Sequence, residues 1–187
     1  MWEINEPEPV KLIVGILAAD KTCLQAALET ITAEFGRTDL VSEVFDFYQT
    51  DYYKDQAGEN ILRQFVSIAE LIDPGRLASI KHKTNRIEKE LAEKLDTSLP
   101  RPVNLDPGII EPSKLVLAST KNFSHRIYIG ESMYAELTLS FCKGKWQSFP
   151  YTFPDYKEDR YHEFLSTVRG KLVEQIRRSK ELRSKGL

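Results

Sequence analysis

Val10-Lys-Leu-Ile-Val-Gly-Ile-Leu-Ala-Ala19 is apolar at odd and even positions alike. A strand with one wet face would alternate. A run apolar on both parities is what a central strand covered on both faces requires. The period then changes. Thr22 can cap a helix in which Leu24, Leu28, Ile31 and Phe35 recur at helical spacing, and Gly36 ends the pattern. Residues 41–48, rich in β-branched and aromatic side chains, read as a second strand and residues 60–68 as a third. Asp73-Pro74-Gly75 turns the chain into a helix with Leu77, Ile80, Thr84, Ile87 and Leu91 on one face. Residues 101–105 make a short fourth strand, stopped by Asp106-Pro107-Gly108.

Strand-helix-strand-strand-helix-strand predicts an α+β protein with a ferredoxin-like split βαβ core over residues 10–108, two helices covering one face of an antiparallel sheet. Residues 109–156 extend it by an antiparallel β-meander and an aromatic strap, and residues 157–187 by a C-terminal helix with a basic tail, in a single domain. The meander's register follows from matching apolar faces. Ala135, Leu137, Leu139 and Phe141 alternate with Tyr134, Glu136, Thr138 and Ser140, while Ile127 and Ile129 share a face with His125. Pairing apolar with apolar needs an odd loop, Gly130-Glu131-Ser132, which sets Arg126 opposite Glu136 and Tyr128 opposite Tyr134. Lys143-Gly144 then turns the chain so that Phe141 faces Trp146. The Pro-rich run from Phe149 to Tyr156 cannot continue a sheet and reads as a strap of aromatics over the core. Tyr161, Leu165, Val168, Leu172 and Ile176 form one helical stripe, with fraying expected after Ile176.

The chain has 187 residues, and with 41% hydrophobic residues it can bury a core without staples. Its cysteines, Cys23 and Cys142, have no neighbouring cysteine, which argues against a disulfide scaffold and a thiolate zinc site. The first residues are acidic where a signal peptide would be basic, and the longest apolar stretch, Leu12 to Ala19, is far short of the roughly 20 residues of a membrane helix. The expectation is a cytoplasmic protein without a membrane partner. A net charge of −2 provides no global field toward nucleic acid, which is disfavoured as a partner. From residue 169 onward, however, seven basic residues face two acidic ones, a local +5 that leaves −7 on the remainder. That tail reads as a solvated helix end before it reads as a site for RNA or an acidic partner.

The phosphate-loop, dinucleotide, serine-hydrolase and zincin signatures are all missing from the sequence. The densest collection of chemistry-bearing residues lies between Pro102 and Gly130. Arg126 and Tyr128, with Lys121 and Lys114, read as a cationic pocket for phosphate or carboxylate, since a guanidinium offers a planar fork of donors and lysine a point charge. Asn104, Asp51 and Tyr52 join them as ligand-binding candidates. Glu136 opposite Arg126 would hold the guanidinium, or the two could simply be a solvated pair on a sheet face. His125, Glu136 and Asp106 are the candidates for acid–base work, His125 because imidazole changes charge near neutral pH. His82 and His162 read as surface residues. Asp46, between Phe45 and Phe47, would need a partner if buried, and Asp46, Asp51 and Asp106 are the types a Mg²⁺ site would use, although side-chain type alone supports that. Asp51-Tyr52-Tyr53 and Phe153-Pro154-Asp155-Tyr156 join carboxylates to rings, as base- or sugar-stacking sites and sealed core edges both do. No cofactor follows from these residues. The function expected is binding of an anionic metabolite or nucleotide, with or without catalysis. The alternatives are an RNA- or protein-interaction module and a homodimer paired through sheet edges.

The order of motifs resembles domain-of-unknown-function family 4416, from about Pro9 to Arg169. The resemblance rests on Pro9-Val-Lys-Leu12, Asp51-Tyr52-Tyr53, Glu70-Leu-Ile-Asp-Pro-Gly75, Lys81 with Asn85, and Val103-Asn-Leu-Asp-Pro-Gly108. It continues through Ser113-Lys-Leu-Val-Leu-Ala118, His125-Arg-Ile-Tyr128, Tyr134-Ala-Glu136 and Pro154-Asp-Tyr156. Tyr151 stands where the family often has Trp. The resemblance implies a small cytoplasmic bacterial or archaeal protein and carries no activity, cofactor or catalytic residue with it. It does make the polar positions just named family motif residues.

Overall fold

All nine residues of β1 (Val10–Ala18), Lys11 included, are buried, as a central strand covered on both faces should be. In a computed structural model describing residues 2–48, 57–58 and 60–184, β1 lies antiparallel between β4 (Leu62–Ile72) and β5 (Val103–Glu111). The remaining strands are β2 (Thr38–Val41), β3 (Phe45–Asp46), β6 (Lys114–Ser119), β7 (Arg126–Gly130), β8 (Met133–Cys142) and β9 (Lys145–Ser148). They form one nine-stranded antiparallel sheet in the order β2-β4-β1-β5-β6-β8-β7, with β3 beside β4 and β9 beside β8.

Each parity of β1 feeds a different core. Val10, Leu12, Val14 and Ile16 pack beneath α1 (Lys21–Phe35) and α2 (Leu77–Lys94), against Leu24, Ile31, Ile80 and Ile87. Ile13 joins Phe65, Ile110, Leu115, Leu117 and Leu139 on the opposite face, covered by Tyr156 of the strap and by Tyr161, Leu165 and Leu172 of α3 (Asp159–Ser184). Fully burying each such aliphatic or aromatic side chain stabilises the fold by roughly 1.5–3 kcal/mol before entropy is counted. Among the described residues no helix is long and apolar enough to cross a membrane.

Several local expectations change. Asp20, not Thr22, caps α1, its carboxylate accepting from the Cys23 N–H at 2.8 Å. The second strand is two short pieces, β2 and β3, and Asp46 is exposed on β3, so its carboxylate needs no buried partner. β4 runs four residues past Ile68. β5 passes straight through Asp106-Pro107-Gly108, because Gly15↔Asp106, Val14↔Pro107 and Ile13↔Gly108 keep this segment against β1. A turn signature yields here to nine consecutive residues of sheet. α3 continues to Ser184 instead of fraying after Ile176. Its later turns carry Arg178–Glu174 and Arg177–Glu181 pairs at (i, i+4) spacing, and Lys180 reaches Glu8 at 2.9 Å, so several bases of the tail already face carboxylates.

The meander has the expected register, with Arg126↔Glu136, Tyr128↔Tyr134 and Phe141↔Trp146. The odd offset comes from a two-residue turn, Glu131-Ser132 with φ of 52° and 59°, plus one extra residue on β7 before Gly130. The apolar alternation does not hold along the whole of the meander. Ile127 is 73% exposed and Leu137 turns outward, while Glu136 is buried. The cause is a bulge where Leu115 pairs Leu139 but Val116 pairs Leu137, so that Thr138 is extra and the alternation of β8 slips by one.

Candidate functional site

The β5–β6 ladder is short. It runs from Glu111↔Lys114 to Gly108↔Leu117 and stops, while β5 keeps to β1 as far as Val103 and β6 keeps to β8 as far as Ser119. Pro107, which has no N–H to offer a ladder, stands at the point of parting. Gly108 permits the last close contact, since a Cβ there would fall 2.6 Å from Leu117 Cδ2 and 2.8 Å from the Val116 carbonyl. Where the strands part, a cavity of about 500 Å³ opens.

One wall belongs to β5 and β4. Arg63, opposite Leu17 of β1, is buried and donates through Nη2 to Asp155 of the strap and through Nη1 to Asp106 Oδ2 at 3.5 Å. The Phe65, Phe47 and Tyr156 rings lie 5.1–5.5 Å from its guanidinium carbon. Burial works against the Arg63 charge, but Asp155, Tyr156 and Asp106 more than offset it and raise its pKa. Gly15 makes room beneath, as a Cβ there would sit 3.0 Å from both Arg63 Nη1 and Tyr156 Oη. The Tyr156 hydroxyl is buried without a hydrogen-bond partner among the described residues, and burial pushes its pKa well above the ordinary tyrosine value. Asn104 donates to Asp106 Oδ2 at 2.9 Å and accepts from Arg101. Arg101 also donates to Glu88 at 2.6 and 3.0 Å, and Glu88 accepts the Leu105 N–H while Lys81 donates to the Leu105 carbonyl, both at 2.8 Å. Burial, partly countered by Lys81 and Arg101, raises the Glu88 carboxyl.

The opposite wall belongs to β6, β7 and β8. Glu136 Oε2 accepts from Arg126 Nε at 2.9 Å and lies 3.0 Å from His125 Nε2. Arg126 Nη1 donates to Ser119 Oγ at 2.9 Å and to the Lys121 carbonyl at 3.0 Å. Its Nη2 has no hydrogen-bond partner among the described residues, and Phe153 of the strap lies 6.0 Å from its guanidinium carbon. Five basic side chains (Arg63, Lys81, Arg101, Lys121, Arg126) and three carboxylates (Asp106, Glu136, Asp155) therefore line one cavity, with Leu17, Phe47, Leu117 and Phe153 supplying apolar surface.

Of the candidates read from sequence, Asn104, Asp106, Lys121, Arg126 and Glu136 line this cavity. His125 is not among the lining residues; its ring stacks on Tyr151 at 4.1 Å and its Nε2 lies 3.0 Å from Glu136 Oε2. Lys114 sits at the far end of β6, paired with Glu111 at 2.6 Å. Tyr128 points outward on the edge strand, against Tyr134 at 5.6 Å. Asp51 and Tyr52 lie outside the described residues. Among the described residues no group of three or more His, Cys, Asp or Glu could hold a metal ion, and Asp46 is remote from Asp106 in the sheet order. His82 is exposed and half-buried His162 accompanies the Tyr156 carbonyl at 2.8 Å. Sequence reasoning missed Arg63 and Arg101. The available signal for Arg63 was a base inside the apolar run Ile61–Ile68, which must be paired if the strand is central.

The family model described as a domain of unknown function (DUF4416) matches residues 8–172, a span that contains every residue lining the cavity. No curated protein and no solved structure matches the chain. With most of its length inside that match, from the strand before α1 to the middle of α3, the chain belongs to the DUF4416 family.

Proposed function

We propose that the protein binds a small anionic metabolite, bearing phosphate or carboxylate, in the cavity between β5 and β6. The observation that carries this reading is Arg126. Three acceptors hold its guanidinium, its Nη2 has no partner among the described residues, and Lys121 lines the same wall. A guanidinium fixed before the ligand arrives loses little freedom on binding, which favours affinity. Glu136 and His125 position Arg126, and Asn104 and Asp106 meet the remainder of the ligand. The order β2-β4-β1-β5 with α1 and α2 on one face supports a ferredoxin-like split βαβ core beneath the site.

Thermal unfolding against a panel of inorganic phosphate, nucleotides, phosphorylated sugars and dicarboxylates tests the reading. A ligand at 100 times its Kd adds about 2.7 kcal/mol, which for a chain of this length moves Tm by roughly 5–10 °C. That shift is expected for at least one anion in the wild type and absent in Arg126→Gln. The reading fails if no anion shifts Tm, or if Arg126→Gln responds like the wild type.

A further inference from the structure

Resting on the anion-binding reading, we infer that the cavity takes a phosphate ester of a polyhydroxylated skeleton, a sugar phosphate or nucleoside monophosphate, and not a bare anion or a polycarboxylate. The two walls differ in chemistry. Arg126, whose Nη2 has no partner among the described residues, and the positive charge of Lys121 stand on the β6–β7 side. On the β5 side Asp106 is 28% exposed, and its Oδ2 is taken by Arg63 and Asn104 while Oδ1 accepts nothing among the described residues. Glu136, only 1% exposed, likewise gives Oε2 to Arg126 and His125 and leaves Oε1 without a partner among the described residues.

Unfilled carboxylate oxygens around a low-dielectric cavity repel a second anionic group and reward neutral hydrogen-bond donors. Hydroxyls are such donors. A carboxylate-rich ligand would place like charges together at the Asp106 end. Volume points the same way: about 500 Å³ lies in the range of sites for whole metabolites and leaves a lone phosphate ion surrounded by empty space. Leu17, Leu117 and the 42% exposed Phe153 provide apolar surface for the C–H face of a sugar or the ring of a base.

Titration calorimetry on the full chain in a phosphate-free buffer decides the matter. The probes are ribose 5-phosphate, adenosine 5′-monophosphate, butyl phosphate and inorganic phosphate. At least one hydroxylated ester should bind tenfold or more tighter than butyl phosphate, a difference of about 1.4 kcal/mol. Ribose 5-phosphate alone in that position identifies a sugar phosphate, and adenosine 5′-monophosphate alone a nucleotide. In Asp106→Ala the preference over butyl phosphate should fall to threefold or less. Equal wild-type affinity for butyl phosphate and both hydroxylated esters overturns the inference while leaving anion binding intact, as does a preference that survives in Asp106→Ala. Binding of none of the four phosphates overturns the inference, while a dicarboxylate hit in the thermal panel would still uphold anion binding.

Discussion

Arg63 and Asp155, 92 residues apart in the chain, form a buried ion pair that ties the strap to the centre of the sheet. Neither side chain exceeds 5% exposure. Losing one partner strands the other charge in a dry environment, which typically costs about 3–5 kcal/mol. Asp155→Ala is therefore expected to lower the urea midpoint strongly, and a double variant Arg63→Met/Asp155→Leu to recover much of the loss. Strict additivity of the two changes in a double-mutant cycle would contradict the pairing.

Gly108 is the contact on which the parting of β5 and β6 turns. An added methyl would overlap the Val116 carbonyl, which is backbone and cannot rotate away. Gly108→Ala should destabilise by about 1–3 kcal/mol, as overpacking does. Gly170→Ala, with nothing within 4 Å of the added carbon, should be neutral or stabilising. Equal urea midpoints for the two variants would refute the close approach.

Lys11 and Asp39 contribute to the pH dependence of stability. Burial alone would raise the Asp39 carboxyl, but hydrogen bonds from Lys11, Ser67 and Lys171 outweigh it and hold the pKa below the usual value. Its contribution is complete above the unfolded value of about 3.9 and is lost as pH falls through the lower folded value. Burial draws the Lys11 ammonium below its ordinary pKa of about 10.4. Between the two values the unfolded chain holds more protons, so this group makes stability rise with alkaline pH. Asp39→Asn should flatten the acid limb of a plot of urea midpoint between pH 2 and 5. An unchanged slope would show that Asp39 is not the responsible carboxylate.

The two thiols should react very differently. Cys142 is exposed, whereas Cys23 is buried and burial pushes its thiol up to about 11. At pH 8 a disulfide reagent should label one thiol per folded chain quickly and the second only on unfolding, since the thiolate is the nucleophile. Rapid labelling of both under native conditions would argue that α1 opens readily.

Much of the fold was legible locally. The double-parity apolar run 10–19 identified the central strand, and Leu24, Leu28 and Ile31 the helix above it, because burial on both faces or on one stripe leaves a period in the sequence. Matching apolar faces also found Arg126 opposite Glu136. It missed that one extra residue at Thr138 reverses the alternation of β8 beyond it, which leaves Leu137 outward and Glu136 buried. Within the candidate site, Arg126, Lys121, Asn104, Asp106 and Glu136 were visible as polar groups in or beside short apolar runs. Lys114 and Tyr128 looked the same in one dimension and proved remote.

By itself the sequence determined which segments bury a face, their periods and most of their partners, since hydrophobic patterning records the solvent on either side of each residue. Only the tertiary structure decided that β5 continues through Pro107, that its ladder with β6 ends at Gly108, and that Arg63 meets Asp155 beside the resulting cavity. Those outcomes depend on contacts between residues far apart in the chain, where pairing with β1 outweighs a local turn preference and a buried charge finds its counterion in another segment.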